Sequence, residues 1–192
     1  MDGRLADRLA AIKGHPAFVG DRPLREVLRH HISDAPEPER VLAQLERFLE
    51  KAGEDPVLLD FCVEDPRRLG MLLTILAGSA FLSEILIRNP HLFRQWAMDQ
   101  NDARRRKREM ERTAVEMDRA IIAELSDIHD FEGRKLALRR FHRRELFRIA
   151  ASDILGFWDM PAVTRQLSLL ADSLIRAAVE TASERVGVVP AG

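Results

Sequence analysis

The sequence predicts an all-α fold: an irregular helical bundle with short buried helices in its first half and three long helices in its second. Three observations point there. Hydrophobic residues make up 46% of the chain and charged residues 32%, a pairing that suits amphipathic helices around a real core. Aromatic residues are only 6% and tyrosine is absent, against the usual needs of a β-sandwich or barrel. Apolar residues recur at helical spacing, and no segment alternates with period two long enough to be a strand.

The stretch 1–35 is the least determined, because His15-Pro16 and Arg22-Pro23 break it and Gly14 and Gly20 loosen it. A short helix fits from Pro23 to Ile32. After Pro36 and Pro38 the row Val41, Leu42, Leu45, Phe48 and Leu49 marks one helix face, and Gly53 supplies a stop. Asp55-Pro56, Asp65-Pro66 and Asn89-Pro90 each set a capping side chain before a proline, whose missing N–H costs nothing in the first turn. Short helices follow at 56–63, 66–77, 80–88 and 90–98. The middle two are apolar nearly all round, which places them at the centre of the domain. A long charged helix is expected from Asn101 to Ser126, with Ala114, Met117, Ile121, Leu125 and Ile128 inward and the Arg104–Arg108 block at its exposed start. A second runs from Phe131 to Leu155, its first turn capped by Asp130. A third begins at Pro161 and continues to Arg185, with Val163, Leu167, Leu170, Leu174 and Ala178 as its inner row. The whole reads as a single helical domain over 1–192, with 187–192 a tail or linker.

Charge and composition remove several functions. Thirty Lys and Arg balance 31 Asp and Glu for a net charge of −1, so no global basic field drives nucleic-acid binding. The single cysteine, Cys62, cannot form an internal disulfide, and a reducing, cytoplasmic setting is the simplest reading. The N-terminus shows no signal-peptide pattern. The longest apolar run, near Gly70 to Phe81, is interrupted by Thr74 and Ser79 and is far short of the roughly 18 residues of a membrane span.

The search for chemistry yields no catalytic, cofactor or metal residue. None of His15, His30, His31, His91, His129 and His142 has zinc-site spacing, and no Cys cluster accompanies them. Asp127 and Asp130 read as local, with Asp130 a helix cap. Gly78-Ser79 resembles the Gly-Ser turn that opens a polymerase-β-type nucleotidyltransferase. Such a site needs two carboxylates shortly downstream to hold magnesium. Here a helix follows, Ser79 reads as its N-cap, and no Asp-x-Asp pair occurs anywhere in the chain. No P-loop or GxSxG elbow is present.

The densest unusual feature is the helix bearing Arg134, Lys135, Arg139, Arg140, His142, Arg143, Arg144 and Arg148, against only Glu132, Glu145 and Asp153. Leu138, Phe141 and Ile149 define its inward face, and Glu145 and Arg148 fall on or beside that face. Charges so placed are paired, because an unpaired buried charge is costly. The expectation is a buried ion pair among Glu145, Arg148 and Asp153: Glu145–Arg148 or Arg148–Asp153. Arg139, Arg140, Arg143 and Arg144 then read either as a solvated face or as a contact surface for something acidic.

At this helix the chain resembles a family. Leu138 to Gly156, with its run Leu138-Arg139-Arg140-Phe141-His142-Arg143-Arg144-Glu145, is similar to a segment of glutamine synthetase adenylyltransferases, with His142 where the family usually has Arg. Met160 to Asp172 and Ser79 to Phe93 resemble two further family segments, in the right order, and the likeness spans about residues 55–185. The resemblance implies the helical N-terminal part of a two-headed enzyme. One head transfers AMP from ATP to a tyrosine of glutamine synthetase; the other, adenylyl-removing, takes it off by phosphorolysis under PII control. ATP and magnesium belong to the full-length family. The matched segments precede the first nucleotidyltransferase core, and the chain ends at Gly192 before the Gly-Ser turn and Asp-x-Asp of that core. The expectation is an accessory domain, inactive alone, whose basic helix meets its own catalytic core or glutamine synthetase. The alternative is a stand-alone module that binds nucleic acid or an acidic protein through Arg104–Arg108 and the Arg139–Arg144 face.

Overall fold

The structure, a computed structural model, describes residues 22–102 and 111–186. Among them are nine helices and no strand, so the chain is all-α. Its contacts divide into two compact units, 1–102 and 103–192. Apolar rows announce helices; which row meets which is a tertiary outcome.

The first unit contains α1 (Arg22–Ser33), α2 (Pro38–Ala52), α3 (Pro56–Glu64), α4 (Pro66–Gly78), α5 (Ala80–Arg88) and α6 (His91–Asp102). Its centre is α4, which packs against α1, α2, α3 and α5. Leu69, Leu72, Leu73, Ile75 and Leu76 are all buried there, as a helix apolar on most sides requires. Phe81, in the first turn of α5, instead faces solvent.

The caps follow local chemistry. Asp55 accepts from the backbone N–H of Val57 and Leu58, Asp65 from Arg67, and Ser79 from Leu82. Asn89 works in both directions. Its side-chain amide donates to the Ile85 carbonyl, and its own carbonyl accepts from Leu92 N–H as α6 begins. Gly53 closes α2 in an ordinary right-handed conformation, φ −65°, not the left-handed one a stop glycine usually supplies. Extended Asp55 before Pro56 makes the break. Arg40 reaches from α2 to the last carbonyls of α4, donating to Leu76 O at 3.2 Å and Ala77 O at 2.7 Å. A cation is favoured there by the helix dipole.

The second unit contains α7 (Ala114–Leu125), α8 (Phe131–Ile154) and α9 (Met160–Val186), each packed on the other two, most extensively α8 on α9. The expected helix from Asn101 to Ser126 is not continuous. Residues 111–113 are not helical, and a new helix starts at Ala114. The reason is a reciprocal capping box: Glu116 N–H donates to Thr113 Oγ at 3.3 Å, and Thr113 N–H donates to Glu116 at 2.7 Å. The Arg104–Arg108 block lies outside the described residues. Met117, Ile121 and Leu125 point inward, whereas Ala114 is exposed.

Asp130 caps α8, accepting from Gly133 N–H at 2.7 Å. The helix ends in a Schellman turn: Phe157 N–H returns to Ser152 O at 2.8 Å and Gly156 N–H to Asp153 O at 2.9 Å. Gly156 takes φ +67°, a left-handed conformation that suits glycine. The inner row of α9 differs from expectation. Ala162, Val163, Gln166, Leu170, Ser173, Ala177 and Thr181 face the core, while Leu167 and Ala178 face solvent. The helix is apolar over two sides, and the expected row straddles both.

Candidate functional site

The sequence places one acidic residue on the buried side of an arginine-rich helix, and the structure converges on it. Glu145 is 1% exposed. Its carboxylate receives Arg148 Nε at 2.8 Å from one turn along α8, and Arg112 Nε at 3.1 Å and Nη2 at 3.2 Å. Gln166 on α9 completes the cluster. Its carbonyl oxygen accepts from Arg148 Nη2 at 2.9 Å and from Arg112 N–H at 3.1 Å, and its amide donates to Arg112 O at 2.8 Å. Arg148 also lies over the Trp158 ring, 5.1 Å from its centroid. Every partner is charge-assisted or bidentate, the condition under which a buried charge is tolerated. The arrangement spends Glu145 as an acceptor between two guanidinium groups. It fixes the segment entering α7 against α8 and α9.

Asp153 is not part of this cluster. It is exposed, because five residues beyond Arg148 it sits about 140° around the helix from it. Arg144 is engaged within the unit as well. It meets Glu124 of α7 at 2.9 Å, and its guanidinium lies 5.3 Å from the Phe141 centroid. It is therefore not left over for an outside partner in the way its position in the arginine run implies. Arg143 is half-buried. Arg139, Arg140 and His142 are exposed on the outer side of α8, with the exposed Leu136 one turn before Arg139 and Arg140.

Arg112, Gln166 and Trp158 were not legible as site residues. Arg112 meets Gln166 across 54 positions, a separation no local pattern encodes. Gln166 did carry a weak signal: a polar residue between Val163 and Leu170 on an otherwise apolar row calls for a buried partner.

Three further contacts secure the second unit. Asp118 on α7 accepts from Ser173 Oγ and Arg176 Nη2 of α9, both at 2.6 Å. These hydrogen bonds hold its carboxyl below the ordinary aspartate value. Arg165 of α9 donates to Glu111 at 2.6 Å. Arg134 of α8 bonds Glu184 near the end of α9. In the first unit, Cys62 is buried and its thiol is pushed up to about 12 by burial, which disfavours the thiolate. His30 pairs with Asp34 at 2.9 Å and His31 with the Val27 carbonyl at 2.9 Å, both local contacts within the last turns of α1.

Among the described residues, no three His, Cys, Asp or Glu side chains converge to hold a metal ion. No described helix is long and apolar enough to cross a membrane.

The described residues thus form an all-α protein whose arginine-rich helix is locked in its unit through buried Glu145. The chain belongs to the glutamate-ammonia ligase adenylyltransferase family, whose model matches residues 69–188. It is 31% identical over 147 residues to the bifunctional glutamine synthetase adenylyltransferase/adenylyl-removing enzyme of Neisseria meningitidis, covering 74% of this chain and 15% of that one. It is 27% identical over 174 residues to the enzyme of the same description from Mycolicibacterium smegmatis, covering 90% of this chain and 17% of that one. The Mycobacterium bovis relative is 30% identical over 149 residues, covering 78% and 15%. The chain thus spans about a sixth of the length of these relatives. No solved structure matches it.

Proposed function

We propose that this chain is a helical accessory domain of the glutamine synthetase adenylylation system, in which α8 is a docking element and carries no AMP-transfer chemistry of its own. Its Arg139–Arg140 edge, with Arg143 beside it, meets an acidic surface: the nucleotidyltransferase core of the same system, or glutamine synthetase itself. The observation that carries this reading is the division of labour along one helix. Arg148 and Arg144 are turned onto Glu145 and Glu124, and this holds α8 rigidly in the unit. Arg139, on the far side of the helix from Arg148, and Arg140, one turn before Arg144, remain exposed. A rigid helix holds these arginines at fixed positions, so binding orders their side chains but costs little backbone freedom. The absence of any Asp-x-Asp pair from the sequence supports an inactive role. ATP, magnesium and PII regulation, on this reading, belong to other parts of the system.

The test has two parts. Purified chain is assayed with glutamine synthetase, ATP and Mg²⁺ for AMP transfer and, with phosphate, for phosphorolysis; turnover by this chain alone contradicts the proposal. Binding to glutamine synthetase and to a separately expressed nucleotidyltransferase core is then measured against salt. Arg139→Glu with Arg140→Glu should weaken one of these associations by about tenfold or more, the scale of two interfacial charges. Binding to neither protein, with a salt-dependent shift of labelled DNA or RNA instead, would favour the nucleic-acid module.

A further inference from the structure

Two arginines of α8 are engaged inside the unit, and they are not held alike. Arg148 is 12% exposed and is bonded to Glu145, which is 1% exposed. Arg144 is 36% exposed and meets Glu124 of α7, itself 20% exposed, through Nη1 at 2.9 Å. Water reaches both members of the second pair, and a pair so placed contributes little net stability. Nor does the buried cluster need Arg144. Glu145 already receives Arg148 and Arg112, and Arg144 Nε stands 4.0 Å from Glu145 Oε1. Arg144 is also one turn on from exposed Arg140. Helical side chains lean toward the N-terminus, so an Arg144 released from Glu124 covers the turn that bears Arg140.

We infer that Glu124 is an internal competitor for the Arg139–Arg140 edge: it occupies Arg144 with the same group, a carboxylate, that an acidic partner offers. The inference rests on the docking reading of α8 and adds its regulation. An incoming carboxylate displaces Glu124 from Arg144, which then joins Arg140 in holding the partner. Glu124, near the surface, passes to water. Arg148 and Arg112 keep Glu145 throughout, so α8 stays fixed in the unit.

The exchange sets a condition on the partner. A lone carboxylate that takes Arg144 replaces one ion pair with another and gains almost nothing. A segment with several adjacent carboxylates engages Arg139 and Arg140 as well, and those contacts displace no internal partner seen in the structure. The edge therefore selects clustered acidic residues over isolated ones. The strength of the competitor is that of a partly exposed ion pair, a factor of up to about five in affinity.

The experiment titrates a fluorescein-labelled polyglutamate peptide with the intact chain at low salt and reads fluorescence anisotropy. Glu124→Ala should bind the peptide about threefold to fivefold more tightly than the unsubstituted chain, and Glu124→Gln should shift it less in the same direction. Arg144→Gln alone should change affinity by less than about twofold, because Arg144 gains at the partner only what it gives up at Glu124. Combined with Glu124→Ala, it should abolish the gain. Glu180→Gln, an equal change in net charge at an exposed position of α9, should leave affinity unaltered. Far-UV circular dichroism confirms that each variant is folded. Equal affinity in Glu124→Ala and the unsubstituted chain overturns the inference. So does a gain that survives Arg144→Gln, or one that Glu180→Gln matches. Arg139→Glu with Arg140→Glu separates the two claims. If it weakens binding while the Glu124 variants change nothing, the docking reading stands and the competitor falls. If it has no effect, or if the peptide binds no variant, the docking reading falls and takes this inference with it.

Discussion

Replacing Glu145 with alanine should be among the most destabilising single changes in the second unit, and the structure sets the size. The carboxylate is buried and receives two groups of hydrogen bonds, from Arg148 at 2.8 Å and from Arg112 at 3.1 and 3.2 Å. Its removal leaves two guanidinium groups facing each other and Gln166. Breaking a buried pair by deleting one partner costs about 3–5 kcal/mol. Arg112 is about a third exposed and Arg148 about an eighth. Water therefore recovers part of the loss at Arg112 and little at Arg148, which places Glu145→Ala at about 3 kcal/mol. Glu145→Gln keeps the shape but sets an amide N–H₂ against a guanidinium, and should cost about 2 kcal/mol. The assay is urea unfolding followed by Trp158 fluorescence in a Trp96→Phe background, so that the signal comes from the second unit alone. A double-mutant cycle with Arg148→Met should return a coupling of about 1–3 kcal/mol. A loss below about 1 kcal/mol for Glu145→Ala would refute the reasoning, since that is the worth of an exposed surface pair.

Two further outcomes follow from local geometry. Asp118→Asn should destabilise by about 1 kcal/mol at neutral pH, the value of one charge-assisted contact at a partly exposed site. The carboxyl of Asp118 is held below its ordinary value by Ser173 and Arg176. Its contribution is therefore present above the unfolded pKa of about 3.9 and lost as the pH falls through the lower folded value. Urea melts of the two proteins should converge as the pH falls below about 4; a gap independent of pH would count against it. Gly156→Ala should cost about 1 kcal/mol in thermal melts through the left-handed backbone alone, since a Cβ there meets nothing within 4 Å. Gly156→Asn should recover part of that loss, because asparagine tolerates the conformation.

The candidate site was partly readable in the sequence. Glu145 stood out as an acidic residue beside Phe141 and Ile149 on an inward face, and its partner one turn on was visible by helical geometry. Of the two pairings open to Arg148 the structure shows the one with Glu145, while Asp153, near the helix end, lies on another side of the cylinder. Arg144 finds its partner, Glu124, on a different helix, which the arginine run does not encode. The break before Ala114 was present as Thr113 and Glu116 three residues apart, a signal masked by the run of helix-forming charges around it.

The sequence by itself determined that the chain is helical, where most helices start, and which family it resembles. Those properties are local: caps, prolines and the 3.6-residue period act within a few residues, and segment likeness is read along the chain. Only the tertiary structure decided that Arg112 and Gln166 close around Glu145, that the helices sort into two units, and which apolar side of α9 faces the core. These depend on groups tens of residues apart choosing among partners of similar chemistry. A helix apolar on two sides carries no internal mark of which one its neighbours will cover.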